Sequence, residues 1–458
     1  MFKPFKNNNM KDIFDFNIGI KKNLLYLFLG GLLLCLIGVY QLVNSGHAHE
    51  ESTEIVTSYI PDNGHSEYHW YKRVFSNLWI NIVYFLGISI SAIFFVAIQY
   101  VSQAGWSAGI LRVPLAIGRW LLPGSVLMLI VFAITNHDIF HWTHEYLYDK
   151  SDPRYDYVID GKKAYLNLPF FLGRMVFFLG IWYLFYALIL KHIAKEDKLG
   201  GTASWEKLFT ISTVFVVFYA FTQSVAAWDW VLSIDTHWFS TMFGWYVFAS
   251  WWVSALALIT YMIIILRDNG YLDFVNHSVI HDLGKYVFAF SVFWTYIWFS
   301  QFLLIYYANI PEETIYYVER LDSDFYYPFF LVNLILNFFF PFLFLMTRAS
   351  KRFTRFLKVA CPIVLFGHFI DFYLMVTPGV LKENGGFGFL EIGMLLLFLS
   401  AFLFVILNGL TKLPLVAKNH PMLDESLHLS LIHISEPTRP ERIGYAVWGL
   451  EKKRGGGG

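Results

Sequence analysis

The chain is poor in charge and almost without cysteine. Only 15% of its 458 residues are Asp, Glu, Lys or Arg, and 34 acidic groups cancel 34 basic ones. A neutral chain with no polybasic block gives nucleic acid nothing to hold, so no nucleic-acid partner is expected. The two cysteines, Cys35 and Cys361, both lie in apolar runs. That argues against a disulfide framework, a cysteine-ligated metal or an iron–sulfur cluster, and leaves them as small core side chains. No CxxCH motif is present, so no haem is attached covalently.

What is plentiful is apolar. Hydrophobic residues make up 57% of the chain, among them 47 Phe, 28 Tyr and 16 Trp, which is too greasy for a soluble domain. A helix needs about 20 apolar residues to cross a bilayer. Ten runs qualify, at about 24–43, 78–101, 114–135, 170–192, 208–233, 241–266, 284–308, 327–347, 356–377 and 389–410. They are about twice as long as a barrel strand needs. The predicted fold is all-α and polytopic, with ten transmembrane helices over 24–410, an N-terminal segment 1–23 and a C-terminal segment 411–427. Lysines precede the first run as they would in a signal peptide. No small-residue cleavage site follows, and the run is read as a retained span.

Ten crossings return both termini to one side. Lys and Arg concentrate in alternate segments: Lys3, Lys6, Lys11, Lys21 and Lys22, then Lys191, Lys195, Lys198 and Lys207, then Arg348, Lys351, Arg352, Arg355 and Lys358. They outnumber the Lys72, Arg73, Lys150, Arg154, Lys162, Lys163, Arg320 and Lys382 of the other set. The positive-inside rule then puts both termini in the cytoplasm. After Leu427 the pattern changes. SLIHISEPTRP resembles the in-frame translation of sequencing-adapter DNA, and residues 428–458 are read as a non-native tail.

An ionised side chain at mid-bilayer costs at least about 2.5–3.5 kcal/mol on insertion scales, so each one is expected to be paired, to face the bundle interior or to do work. The stretch AWDWVLSIDTHWFSTMFG, residues 227–244, sets Asp229 between Trp228 and Trp230 and follows it with Asp235 and His237. Asp229 reads in two ways. It is an interfacial carboxylate bonded to a nearby donor, or a proton acceptor at a quinol or ion site. The stretch as a whole reads either as proton-handling groups at the end of the bundle, or as Asp229, Asp235 and His237 only capping and tying a tight interhelical turn, with Asp235 bonding backbone N–H groups ahead of the sixth run. Arg174, just inside the fourth run, needs a carboxylate partner, with Asp229 or Asp138 the first choice.

At the end of the third run, NHDIFHWTH supplies Asn136, His137, Asp138, His141 and His144. If the helix continues, the three histidines fall on one face. The motif lacks the Glu of HExxH, so hydrogen bonding, or one histidine at a quinone headgroup, is preferred and no metal is expected. His368 and Asp371, in GHFIDFY, stand at i and i+3 and share a face. With Glu391 at the start of the tenth run, and Gln301, Tyr306 and Tyr307 in the seventh, they form either a titratable chain suited to a proton relay or separate interhelical hydrogen bonds. A membrane haem needs facing histidines near mid-span, and only His368 lies there. The expectation is a chain without a redox centre, whose partner carries the electrons.

The 227–244 stretch, NHDIFHWTH and the ending LPLVAKNHPMLDESLH together resemble the integral membrane subunits of alternative complex III, the quinol:cytochrome c oxidoreductase of some bacteria. Those subunits belong to the wider family of polysulfide-reductase-type membrane anchors. The likeness covers about residues 15–427 and is nearer the second of the two ten-helix subunits. It implies two four-helix bundles, here about 78–233 and 241–377, flanked by the first and tenth runs, in the bacterial inner membrane. It implies menaquinol or another quinol as substrate. The implied partners are membrane lipids, an iron–sulfur subunit, a second ten-helix subunit and haem c subunits. On this resemblance Asp229 and His141 are the catalytic candidates. His137, Asp138, Arg174 and His237 attend the quinone, and His368, Asp371 and Glu391 form a proton path. A scaffold-only subunit and a secondary transporter stay open as alternatives. Transporters place their polar groups at paired broken helices near mid-membrane, whereas here they gather at the outer ends.

Overall fold

The computed structural model describes residues 13–56 and 69–426. The adapter-like tail and the middle of the 44–76 segment lie outside the described residues. Among the described residues every regular element is helical, and ten helices are long and apolar enough to cross a membrane. They are α1 (Ile18–Asn44), α2 (Trp70–Val101), α3 (Arg112–Ile139), α4 (Leu168–Leu199), α5 (Ala203–Ile234), α6 (Phe243–Asp268), α7 (His277–Ala308), α8 (Tyr326–Leu345), α9 (Thr354–Asn384) and α10 (Phe389–Leu410). The chain is a multi-pass, all-helical membrane protein.

Local chemistry sets the starts of these helices. Asn167 caps α4 by accepting from the Phe170 N–H, and Pro169 follows in the first turn. Asn276 accepts from the N–H groups of Ser278 and Val279 to start α7. At α10, Glu391 turns back to the Gly388 N–H at 2.6 Å. Helix α8 is interrupted by a π turn at Ile335–Phe339, followed by Pro341. Such turns release the regular backbone ladder and re-aim side chains.

Helices α2, α3, α4 and α5 pack in a closed ring, α2 on α3, α3 on α4, α4 on α5 and α5 back on α2. Helices α6 to α9 repeat the arrangement. The rings meet where α2 packs on α6 and α9, and α5 on α6. Helix α1 pairs with α10 outside both rings, and α10 rests on α2 and α3.

Lipid tails are as apolar as leucine, so helix association in a membrane rests on close packing and hydrogen bonds. Both are visible at the contacts. A methyl group built on Gly87 of α2 would come 1.9 Å from Nε1 of Trp251 in α6, so the indole lies directly on the glycine. Trp79 Nε1 donates to the Trp230 carbonyl at 2.8 Å, and the Tyr84 hydroxyl to the Leu365 carbonyl at 2.7 Å. Between α1 and α10, a methyl on Gly38 would meet the Leu390 nitrogen at 2.6 Å, and one on Gly393 the Cys35 nitrogen at 2.6 Å.

The alternate connecting segments gather at two ends. At one end Lys162 Nζ donates to the Thr236 carbonyl at 2.5 Å, Trp238 Nε1 to the Glu313 carbonyl at 2.9 Å, and Lys382 pairs with Glu319 at 3.0 Å. At the other, Arg112 pairs with Asp197 at 2.7 Å, the Lys418 N–H reaches Asp197 at 3.2 Å, and Lys358 pairs with Asp268. Residues 411–426 fold back at this second, basic end, where the Ser426 hydroxyl bonds the Trp106 carbonyl at 2.9 Å. The first is called the loop end below.

Candidate functional site

Asp229 sits one turn from the loop end of α5 and is 1% exposed. Arg174 of α4 donates Nε to Oδ2 at 2.7 Å and Nη2 to Oδ1 at 3.1 Å. The Tyr165 hydroxyl adds a third bond to Oδ1 at 2.9 Å. This is the carboxylate that Arg174 requires, and Asp229 rather than Asp138 supplies it. The guanidinium also bonds the Tyr165 carbonyl at 3.0 Å and lies 3.9 Å from the centre of the Tyr165 ring and 4.3 Å from that of Phe170. Burial, then the Asp229 charge, hold the Tyr165 phenol well above its ordinary range. Both oxygens of Asp229 are engaged by this cage, whose charge is balanced.

The second ring holds a counterpart. In α4 the sequence LPFFLGRM runs over 168–175, and in α8 YPFFLVNL runs over 327–334. In register, Arg174 matches Asn333. Likewise WDWVLSI at 228–234 of α5 matches IDFYLMV at 370–376 of α9, so Asp229 matches Asp371. Asp371 is fully buried. It accepts from Asn333 Nδ2 at 2.9 Å, from Trp294 Nε1 at 3.0 Å and from the Tyr246 hydroxyl. His368 Nδ1 stands 3.9 Å from Oδ2 and 3.0 Å from the Ser250 hydroxyl, and His368 Nε2 is buried with no hydrogen-bond partner. The π turn of α8 carries Asn337, whose Nδ2 bonds Asn333 Oδ1 at 2.6 Å. Where the first ring sets a guanidinium on its carboxylate, the second sets an amide.

The loop end contains a third ionic group. Arg320, on the short helix Pro311–Leu321, is 2% exposed and lies over the Tyr316 ring at 3.4 Å. It donates to Asp235 at 3.3 Å and to the carbonyls of Leu374 and Tyr316 at 2.9 and 2.6 Å. Lys382 lies 3.8 Å from the other Asp235 oxygen. Asp235 is therefore an ion-pair partner, and the expectation that it caps backbone N–H groups ahead of α6 is corrected: two cations compete for its oxygens. His237 is exposed and pairs with Asp156 at 2.5 Å, while Asp156 also caps the turn at Tyr157–Gly161.

The histidines do not share a helix face. Helix α3 ends at Ile139, and a 3-10 turn carries His141–Thr143. His137 Nδ1 bonds the Thr143 hydroxyl at 3.0 Å, and the ring centres of His137 and His144 stand 5.6 Å apart. Phe140 turns inward against Trp79 and Phe171, and this breaks the helical register that the sequence pattern assumes. Among the described residues no group of three or more potential ligands could hold a metal ion. The His141 ring reaches solvent, yet the surrounding protein, then the nearby His144 and His237, push its pKa down to about 4. Desolvation, then His137, lower that of His144. Asp138 is half-buried at the end of α3.

Glu391 lies apart from His368 and Asp371. It is fully buried and takes a two-pronged bond from Arg73 at 2.7 and 2.8 Å, with Asn77 at 3.0 Å. Gln301 is buried and bonds the Tyr317 hydroxyl at 3.1 Å. Tyr306 and Tyr307 are 70% and 88% exposed on the outside of α7, so they do not extend the buried chain. Tyr165, Asn333, Trp294 and Tyr246 escaped the sequence reading, and Arg73 and Arg320 entered it only as charges that set the orientation. The repeated PFFL motif was the available signal for Asn333.

Comparison of the sequence with known protein families and with curated proteins finds no match.

Proposed function

We propose that the chain is an integral subunit of a bacterial quinol-oxidising complex of the alternative complex III type. It lies in the inner membrane with both termini in the cytoplasm, and its own task is to handle the protons of quinol oxidation. The observation that carries this reading is Asp371. It is a fully buried carboxyl bonded to neutral donors, 3.9 Å from an imidazole, at the position where the first ring has a salt bridge. A buried charge with no fixed counter-cation is costly, and a mobile proton removes the cost. Either Asp371 or His368 can hold that proton.

Quinol oxidation releases two protons and two electrons. The electrons pass to iron–sulfur and haem c partners, and the protons need acceptors that lead to water. The Tyr246 hydroxyl donates to Asp371. Tyr316 and Tyr317 lie within electrostatic reach of both, and Arg320 and Asp235 follow at the loop end. The Arg174–Asp229–Tyr165 cage ties α4 to α5. His137, His141 and His144 lie at the loop end; the lowered pKa values of His141 and His144 favour the neutral ring, which can accept a hydrogen bond from a quinol hydroxyl.

The test is Asp371→Asn in the assembled complex. The amide keeps the shape of the cradle and cannot carry the proton. Turnover from quinol to cytochrome c should fall on the order of 100-fold, the lower range for loss of a general acid–base group, with quinone occupancy retained. Unchanged turnover in an intact complex would reduce the chain to a scaffold.

A further inference from the structure

The spans differ in length where they meet the basic end. Helices α4, α5 and α7 have 32 residues each, whereas α8 has 20. At 1.5 Å per residue α8 covers about 30 Å, the thickness of the hydrocarbon layer. It has no length to spare, so the turn that follows it lies at the level of the lipid headgroups. The turn is held from within. Lys351 is buried and donates Nζ to the Leu345 and Met346 carbonyls at 2.7 and 2.9 Å, which closes the end of α8. The Thr347 hydroxyl accepts the Ser350 N–H at 3.1 Å.

While Lys351 turns inward, Arg348 and Arg352, one turn apart on the short helix Arg348–Arg352, are exposed, and so is Arg355. Among the described residues none of these three guanidiniums has a hydrogen bond or an ion pair. The carboxylates at the adjoining ends of α6 and α7 are already taken, Asp268 by Lys358 and Asp282 by Lys285. Apolar side chains interleave with the arginines. Phe353 is 56% exposed and Phe356 42%, and Met346 and Val359 are exposed on the adjoining turns of α8 and α9. A free phosphate would answer the arginines and leave the phenylalanines in water, whereas a phosphate joined to acyl chains answers both. We infer that residues 346–359 bind an anionic phospholipid, with the guanidinium forks of Arg348, Arg352 and Arg355 on phosphate oxygens and Phe353 and Phe356 against the first carbons of the acyl chains. The inference is independent of the quinol reading.

The experiment places the full chain in nanodiscs that carry a trace of photoreactive phosphatidylglycerol or photoreactive phosphatidylcholine. After irradiation, mass spectrometry counts the lipid adducts on residues 346–359. In the wild type, phosphatidylglycerol adducts exceed those of phosphatidylcholine, and each of Arg348→Gln, Arg352→Gln and Arg355→Gln lowers that preference about five-fold, the effect of one cation near a membrane surface. The three together abolish it. A variant with Lys191→Gln, Lys195→Gln and Lys198→Gln, exposed lysines at the basic end of the longer α4, leaves it unchanged. Equal capture of the two lipids by the wild type, or a preference that survives loss of all three arginines, overturns the proposal. So does an equal loss in the α4 variant, which would make the effect one of overall charge. Competition on the wild type needs no variant: inorganic phosphate leaves the adducts in place, and their displacement would show that the arginines take a small anion and that the lipid assignment fails.

Discussion

At the scale of single residues, the two matched carboxylates differ in what neutralises them, and that difference predicts different responses to mutation. Arg174→Met leaves the buried Asp229 carboxyl with only Tyr165. Loss of one partner of a buried pair costs about 3–5 kcal/mol, read as a lowered unfolding midpoint in detergent. Adding Asp229→Leu should recover most of that loss, because the pair is largely balanced against its own desolvation. Asn333→Leu removes one of several neutral donors to Asp371 and should cost about 1–3 kcal/mol, the penalty for an acceptor left short of a bond. A protonation switch sits at the other end. His420 is 7% exposed and its Nδ1 accepts the Met422 N–H at 3.1 Å. Burial, then Arg112, push its pKa down to about 4 from 6.5. Between those values the undocked segment binds more protons than the docked one, so docking of residues 411–426 weakens as pH falls from about 6.5 to about 4, by roughly 3 kcal/mol in all. Hydrogen exchange of that segment across this range measures it, and His420→Gln should flatten the dependence.

At the scale of elements, glycines set which helices can touch. Gly38→Leu drives a side chain into the α10 backbone, where even a methyl would lie 2.6 Å from the Leu390 nitrogen. Overpacking of this kind costs about 1–3 kcal/mol, and α1 should become accessible to protease or crosslinker while the two rings hold. Gly367→Ala acts at the broken helix. Its methyl would fall 2.3 Å from Asn337 Oδ1, so the Asn337 side chain must shift and its bond to Asn333 is strained. The ten apolar runs were legible because length and hydropathy alone satisfy a bilayer. The π turn of α8 was not, because Asn337 is aimed by contacts with α9 that no local pattern encodes. The same limit explains the histidines. Spacing placed His137, His141 and His144 on one face, but Phe140 packs inward against aromatic rings from α2 and α4 and ends the helix there.

At the scale of the whole molecule, two four-helix rings share the α2–α6 contact, and the connecting segments separate into a loop end and a basic end. Cysteines placed at exposed Lys150 and Lys198 therefore lie at opposite ends, against a background of two buried native cysteines. With the positive-inside orientation, a membrane-impermeant thiol reagent added to spheroplasts should label Lys150→Cys and spare Lys198→Cys until the membrane is opened. The reverse pattern would invert the topology and place the His137, His141 and His144 cluster in the cytoplasm.

The sequence by itself determined that the chain crosses a membrane ten times, that most of its charge lies in the segments between crossings and near the ends of the spans, and that Arg174 needs a carboxylate. Each follows from one physical fact, the cost of polar groups in hydrocarbon, which acts residue by residue. Only the tertiary structure decided which carboxylate answers Arg174, that Asp371 is met by an amide instead of a guanidinium, and that Glu391 belongs to Arg73. Those choices depend on which helix faces come together across long separations in the chain, where close packing at glycines and interhelical hydrogen bonds decide.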